Sequence, residues 1–217
     1  VKHLEIKETL KSILTDVENT WDSKEREEFT MSKFLELEWL HDGETLKNNI
    51  NFIKKLKEYY FNYNHTELTS MGMEYDYYVI HEPFGNKSSP DYLFLTPFGF
   101  FGVEDKSSKN GSISWNTGTP GENKIITYFD KKEKKVYIIT SEEYGWGKET
   151  AIKYREFTKE ILTYAKNKFK EKFSYDNDVI SKMGYYARPM LTDKNLVKNI
   201  YDPEEKNVDV ILKGYLK

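Results

Sequence analysis

One stretch, Pro90 to Lys106, constrains this chain more than any other. It reads PDYLFLTPFGFFGVEDK, two apolar runs (Tyr92 to Leu95 and Phe100 to Val103) separated by Thr96-Pro97-Phe98-Gly99. Proline and glycine stand where a type I turn accepts them, which predicts a β-hairpin. The runs are continuous rather than alternating, as in strands covered on both faces. Asp91, Glu104 and Lys106 nevertheless sit at the open end of this hairpin. Ionised groups beside a buried sheet require partners or a ligand.

Side chains alternate along a strand, so Glu104 and Lys106 share one face while Asp105 points to the other. A loop of two or four residues sets Asp91 directly opposite Glu104, with Cβ atoms roughly 5 Å apart. A three-residue loop pairs Asp91 with Asp105 instead, unless a bulge at Gly102 restores the first arrangement. In the first register two carboxylates converge, and one takes up a proton unless a cation lies between them. Asp91 and Glu104 offer hard oxygens of the kind that suit Mg²⁺, with Mn²⁺ as a substitute. Such an ion can activate water and offset charge on a phosphodiester, and Lys106 is placed to orient that water.

Pro90-Asp91, twelve intervening residues, then Glu104-Asp105-Lys106 resembles the motif of the PD-(D/E)XK nuclease superfamily, and looks most like its Type II restriction endonucleases. The likeness covers about residues 74 to 140. It implies an α/β protein, a restriction-endonuclease-like α/β/α sandwich with a central mixed β-sheet and an N-terminal helical segment. It also implies Asp91, Glu104 and Lys106 as catalytic residues, with Asp91 and Glu104 as the metal ligands. The reaction implied is Mg²⁺-assisted hydrolysis of double-stranded DNA at a short specific sequence, leaving 5′-phosphate ends, by a homodimer whose two-fold matches a palindromic site. In this superfamily a helix before the first core strand often adds another acid; Glu44 is the first candidate, Glu36 the second, and Glu82 could approach from a strand end.

An acid two residues before a lysine is common in so charged a chain, recurring at Glu5, Asp22, Glu122, Asp130, Glu133 and Glu204. Only the Glu104 copy closes an apolar strand paired with one that begins at the sole Pro-Asp. The competing explanation is an Asp91 that caps a turn and an edge ion pair between Glu104 and Lys106.

The 217 residues suit a single domain, with a helical part at 1–62, the catalytic sheet at 74–140, and a helix plus C-terminal segment at 148–217. Cysteine is absent, which excludes disulfides and thiolate metal sites. With no signal peptide or long apolar run in view, a cytoplasmic protein without membrane contact is expected. The four histidines lie too far apart to form a zinc ligand pair. A net charge of −3 leaves nucleic acid open as a partner, because a cleft can be locally positive on an acidic molecule.

Ile6, Leu10, Ile13, Leu14, Val17 and Trp21 recur at helical period and predict a helix over 3–21. Asp22-Ser23 with Glu25 caps a second helix running to Asp42-Gly43, and a third spans about Glu44 to Tyr60. Tyr75–His81 reads as the first core strand, with Ile125–Phe129 and Val136–Thr140 as a later hairpin. A long helix from about Lys148 to Phe173, with Ile152, Ile161, Ala165 and Phe169 toward the sheet, would complete the sandwich. Beyond it, Tyr185–Pro189 and Val208–Leu212 read as strands around a short helix, Asp193–Tyr201.

A polar segment directly follows Lys106, where a restriction-type enzyme meets its substrate. Ser107, Ser108 and Lys109 suit phosphate, Asn116 and Asn123 suit adenine edges, and Trp115 can stack or wedge. Arg188, one of three arginines, is the candidate for base readout. Loop formation and surface ion pairing account for the same residue types. The alternative functions are a repair or junction nuclease on the same fold, or a non-catalytic nucleic-acid-binding module.

Overall fold

The computed structural model describes residues 2–15, 23–36, 38–62, 78–86, 88–96, 99–108, 113–114, 124–132, 135–140, 148–173, 190–191, 209 and 212–213. Four helices come first: α1 (Lys2–Thr15), α2 (Ser23–Leu35), α3 (Glu38–Lys47) and α4 (Ile50–Asn62). The strands are β1 (Tyr78–His81), β2 (Tyr92–Thr96), β3 (Gly99–Ser108), β4 (Ile113–Ser114), β5 (Lys124–Asp130), β6 (Lys135–Thr140) and β7 (Met190–Leu191), with α5 (Lys148–Phe173) between the last two. A five-stranded mixed sheet has the order β1-β2-β3-β5-β6, and β4 pairs with β7 in a separate ribbon. Neighbours in the large sheet are antiparallel except β3 and β5, which run parallel.

Strand alternation divides the apolar residues between two faces. Val79, Tyr92, Phe94, Phe101, Val103, Ile125 and Ile138 cluster with Ile6, Leu10, Ile13 and Leu14 of α1 and Phe34 of α2. Ile80, Leu93, Leu95 and Phe100 cluster instead with Phe52, Leu56 and Tyr60 of α4. The continuous apolar runs of the hairpin follow from this double cover.

Several element boundaries differ from the sequence expectation. The second predicted helix is two, α2 and α3. Gly43 does not stop a helix; it lies inside α3, where an added Cβ would come within 1.9 Å of the Val79 carbonyl oxygen. Its missing side chain lets the helix lie against β1. The next helix starts at Ile50 rather than Glu44, because Asn49 accepts a hydrogen bond from the Phe52 N–H at 3.1 Å and caps it.

The long helix stands where its period predicts, but none of its described side chains is buried; Phe157 is 57% and Ile161 44% exposed. Ile152, Ala165 and Phe169 are half-buried, so among the described residues this helix buries no side chain in the core, and α4 covers the sheet face opposite α1 and α2. Periodicity reports an apolar stripe, not the surface it meets. Asp209 and Leu212-Lys213 are helical rather than extended. Leu212 is buried against α1, and Asp209 pairs with Lys7 and Lys11, each at 3.1 Å. The expected extension of β1 back to Tyr75, the strand at Tyr185–Pro189 and the helix at Asp193–Tyr201 lie outside the described residues. No described helix is long and apolar enough to cross a membrane.

Candidate active site at the open end of the hairpin

Tyr92 pairs with Val103 and Thr96 with Gly99, so the loop between β2 and β3 holds two residues. Asp91, one step beyond the ladder, therefore faces Glu104. Gly102 pairs in regular register with Leu93 and forms no bulge. Its role is steric: a Cβ there would stand 2.7 Å from both Pro90 Cβ and the Tyr60 hydroxyl. Pro90 nests on β3 because Gly102 leaves room. Asp91 Oδ2 then accepts the Asp105 N–H at 2.8 Å, carrying the hairpin one bond further through a side chain.

Glu104 is 2% exposed. Its Oε1 pairs with Lys106, and its Oε2 meets Lys124 Nζ at 2.9 Å and the Ser89 hydroxyl at 2.6 Å. Lys124 reaches it because the parallel β3–β5 ladder sets Lys124 beside Gly102, on the face that Glu104 shares. Burial pushes the Glu104 carboxyl up, but Lys124 and Lys106, with hydrogen bonds from Lys106 and Ser89, outweigh it and hold it at about 2. Asp91 moves the other way. Burial first, and then the negative charge of Glu104, push its carboxyl up to about 7 against the pull of Lys106. Near neutral pH the pair thus consists of one firmly ionised acid and one balanced between its two forms.

Asp105 faces the α2 side. The Thr127 hydroxyl donates to its Oδ1, the Thr30 hydroxyl lies 3.5 Å from Oδ2, and Arg26 Nε stands 3.6 Å from the same oxygen. Burial raises this carboxyl, and Arg26 only partly offsets it. Arg26 is itself fixed by a 2.8 Å bond from Nη1 to the Ile13 carbonyl.

A cleft of about 250 Å³ opens where these groups meet. Helix α2 contributes Arg26 and Glu27, the end of β1 contributes His81 and Glu82, and the hairpin contributes Asp91, Tyr92, Asp105, Lys106 and Ser107. Glu82 holds a left-handed backbone (φ 43°), and its N–H donates to the Asp91 carbonyl at 2.7 Å, tying this wall to the hairpin. The His81 ring packs on Tyr92, and burial, opposed by Glu82, lowers its pKa.

Of the residues singled out from sequence, Asp91, Glu104 and Lys106 come together, and Asp91, Lys106, Ser107 and Glu82 line the cleft. Glu44 and Glu36 do not line it; they are exposed and paired with Lys47 at 3.9 Å and Lys33 at 4.0 Å. Among the described residues, Glu27 is the acid upstream of β1 that does. Ser108 ends β3, and its side chain lies outside the described residues, as do Lys109, Trp115, Asn116, Asn123 and Arg188.

Lys124, Ser89, Arg26, Glu27 and Thr127 were not visible in the sequence as site residues. The signals for two of them are a lysine opening an otherwise apolar strand and an arginine in a chain with only three. Among the described residues no three acids or histidines are grouped to share an ion. A cation at this point would rest on Asp91 and Glu104, with water and substrate oxygens completing its shell. No family model, curated protein or solved structure matches this chain.

Proposed function

We propose that this chain is a Mg²⁺-dependent endonuclease of the PD-(D/E)XK type, restriction-like in cutting double-stranded DNA at a short sequence. Asp91 and Glu104 hold the ion, and Lys106 stands beside it. The observation that carries this reading is the convergence of Asp91 and Glu104 across the hairpin, where burial first and then the charge of Glu104 push Asp91 up to about 7. A divalent cation removes that conflict by favouring both ionised forms, and the donors are the hard oxygens Mg²⁺ takes. When bound, the ion supplies a Lewis acid for the phosphodiester and lowers the pKa of an attacking water.

The chain's own groups do the rest. Lys124 and Ser89 orient Glu104 through Oε2, so the carboxylate stays ionised and aimed. Asp91 would hold the ion in its ionised form, opposite Glu104. Lys106 releases Oε1 of Glu104 and turns its ammonium to the phosphate or the attacking water. A mixed sheet covered by helices on both faces, with the motif at the open end of its central hairpin, supports a restriction-endonuclease-like sandwich. A homodimer acting in the cytoplasm completes this reading.

The test is cleavage of phage DNA with Mg²⁺, followed by sequencing of the fragment ends. Discrete ends with 5′-phosphates are expected, and Asp91→Ala, Glu104→Ala and Lys106→Ala should each lower the rate by at least roughly a thousandfold. Wild-type rates from all three would remove the assignment. One observation favours a second reading, a non-catalytic nucleic-acid-binding module: Glu104 is already matched by two lysines. Calorimetry that finds no Mg²⁺ or Mn²⁺ uptake, even with DNA present, would select it.

A further inference from the structure

The α2 wall of the cleft contains buried donors that the metal-dependent step does not use. Arg26 is 3% exposed and Tyr92 2%, and both line the cleft. Among the described residues, the Nε and Nη2 groups of Arg26 and the hydroxyl of Tyr92 are buried without a hydrogen-bond partner. Arg26 does face an acid, but its Nε stops 3.6 Å from Asp105, outside hydrogen-bond range, while Asp105 is engaged by Thr127. Buried polar groups are rarely left unsatisfied, since each has given up its hydration with nothing in exchange. Two such side chains on one cleft wall indicate that the donors serve something that enters.

We infer that Arg26 and Tyr92 form a receptor for a phosphate of the nucleic-acid strand, adjoining the phosphate that lies at Asp91 and Lys106. The assignment rests on the nuclease reading for its choice of ligand. The chemistry of the donors is independent of that reading: a guanidinium edge and a phenol O–H are both hydrogen-bond donors suited to an oxyanion. Glu27, Glu82, Asp91 and Asp105, the last ion-paired with Arg26, also line the cleft, so long-range attraction does not draw an anion here. Short-range donation from groups shielded from water does. Free inorganic phosphate therefore binds far more weakly than a strand held through neighbouring contacts as well.

Tyr92→Phe separates a binding role from a structural one, because the hydroxyl has no partner to lose among the described residues. With a short fluorescein-labelled DNA duplex in chelator, Tyr92→Phe should weaken binding roughly tenfold, while its thermal unfolding temperature stays level or rises. Its dependence on salt should match that of the wild type, since no charge is removed. Arg26→Gln should weaken binding and lower the log–log salt slope by about one. Arg26→Lys, which keeps the charge but not the fork, should weaken binding with the slope retained.

Inorganic phosphate should compete only at concentrations far above those at which the duplex binds. Equal competition by free phosphate would overturn the assignment to a strand. Wild-type affinity in Tyr92→Phe, or a drop in its thermal stability that tracks the loss of binding, would overturn the receptor itself. Because binding is read without metal, wild-type cleavage by Asp91→Ala would end the nuclease reading and leave this measurement standing. Normal duplex binding by Tyr92→Phe would end the receptor and leave the metal-dependent reaction standing.

Discussion

Glu104 points to the α4 side of the sheet, where Lys106, Lys124 and Ser89 close on its two oxygens. Asp105, the next residue, points to the α2 side, where Thr127 and Thr30 offer hydroxyls and Arg26 stops 3.6 Å away. Both carboxyls are desolvated, yet Glu104 is held at about 2 while Asp105 is raised above the usual range. Depth does not separate them. The number and closeness of cations does, because desolvation acts on both and only one has ammonium groups within contact distance. Asp91 belongs with Asp105 in this respect, although it shares a face with Glu104.

The largest effect expected from this contrast is at Glu104. Glu104→Gln leaves Lys124 buried without its anion and should cost about 3–5 kcal/mol in urea unfolding. A loss below about 1 kcal/mol would mean that the two lysines are not matched to the carboxylate at all.

Asp91 is expected to show nearly as large an effect, with the opposite sign. Its folded pKa of about 7 exceeds the ordinary 3.8, so its contribution to stability is fully present below about pH 4 and is lost as pH rises through about 7. Without metal, Asp91→Asn should equal the wild type near pH 4 and exceed it by roughly 3–4 kcal/mol at pH 8. Mg²⁺ should narrow that gap by stabilising the wild type, and its uptake should release a proton near neutral pH, measurable by calorimetry in buffers of different ionisation enthalpy.

A smaller loss, about 1–3 kcal/mol, is expected for Gly102→Ala, which forces Pro90 and Tyr60 away from β3. If the displacement carries Asp91 away from Glu104, the Asp91 carboxyl should titrate nearer its ordinary value by NMR. Asp105→Asn should change least, by less than about 1.5 kcal/mol, because the amide keeps an acceptor for Thr127, burial already disfavours the charge it removes, and Arg26, 3.6 Å away, keeps its bond to the Ile13 carbonyl. A cost as large as that of Glu104→Gln would erase the distinction between the two faces.

The same contrast marks how far the sequence alone reaches. The hairpin was legible because its apolar runs, its Pro-Phe-Gly turn and its strand alternation are all local. The facing of Asp91 and Glu104 followed from loop length alone. Lys124 was not legible, since it reaches Glu104 only through the parallel β3–β5 ladder, and residues 109–123 between those strands carry no local signal of that closure. Arg26, Glu27 and Thr30 depend on how α2 lies across the sheet, and helical period does not specify a docking angle.

Gly43 was misread for a related reason. A glycine that ends a helix and one that lets a helix touch a strand look alike until the strand is present. At α5 the apolar stripe identified a helix and its less exposed side, with Ile152, Ala165 and Phe169 half-buried, but Ile161 is exposed and no described side chain of the helix is buried.

The hydrogen bond from the Asp105 amide to Asp91 Oδ2 also bears on ion selectivity. With that oxygen already engaged by the backbone, Asp91 would offer Oδ1 first to the proposed ion, a one-oxygen contact. Calcium, which favours wide shells and two-oxygen carboxylate clasps, is poorly served by such a grip. A smaller ion that retains most of its hydration and asks one oxygen of each carboxylate is better suited. In the proposed site, that single amide hydrogen would thus bias the pair of carboxylates toward small ions.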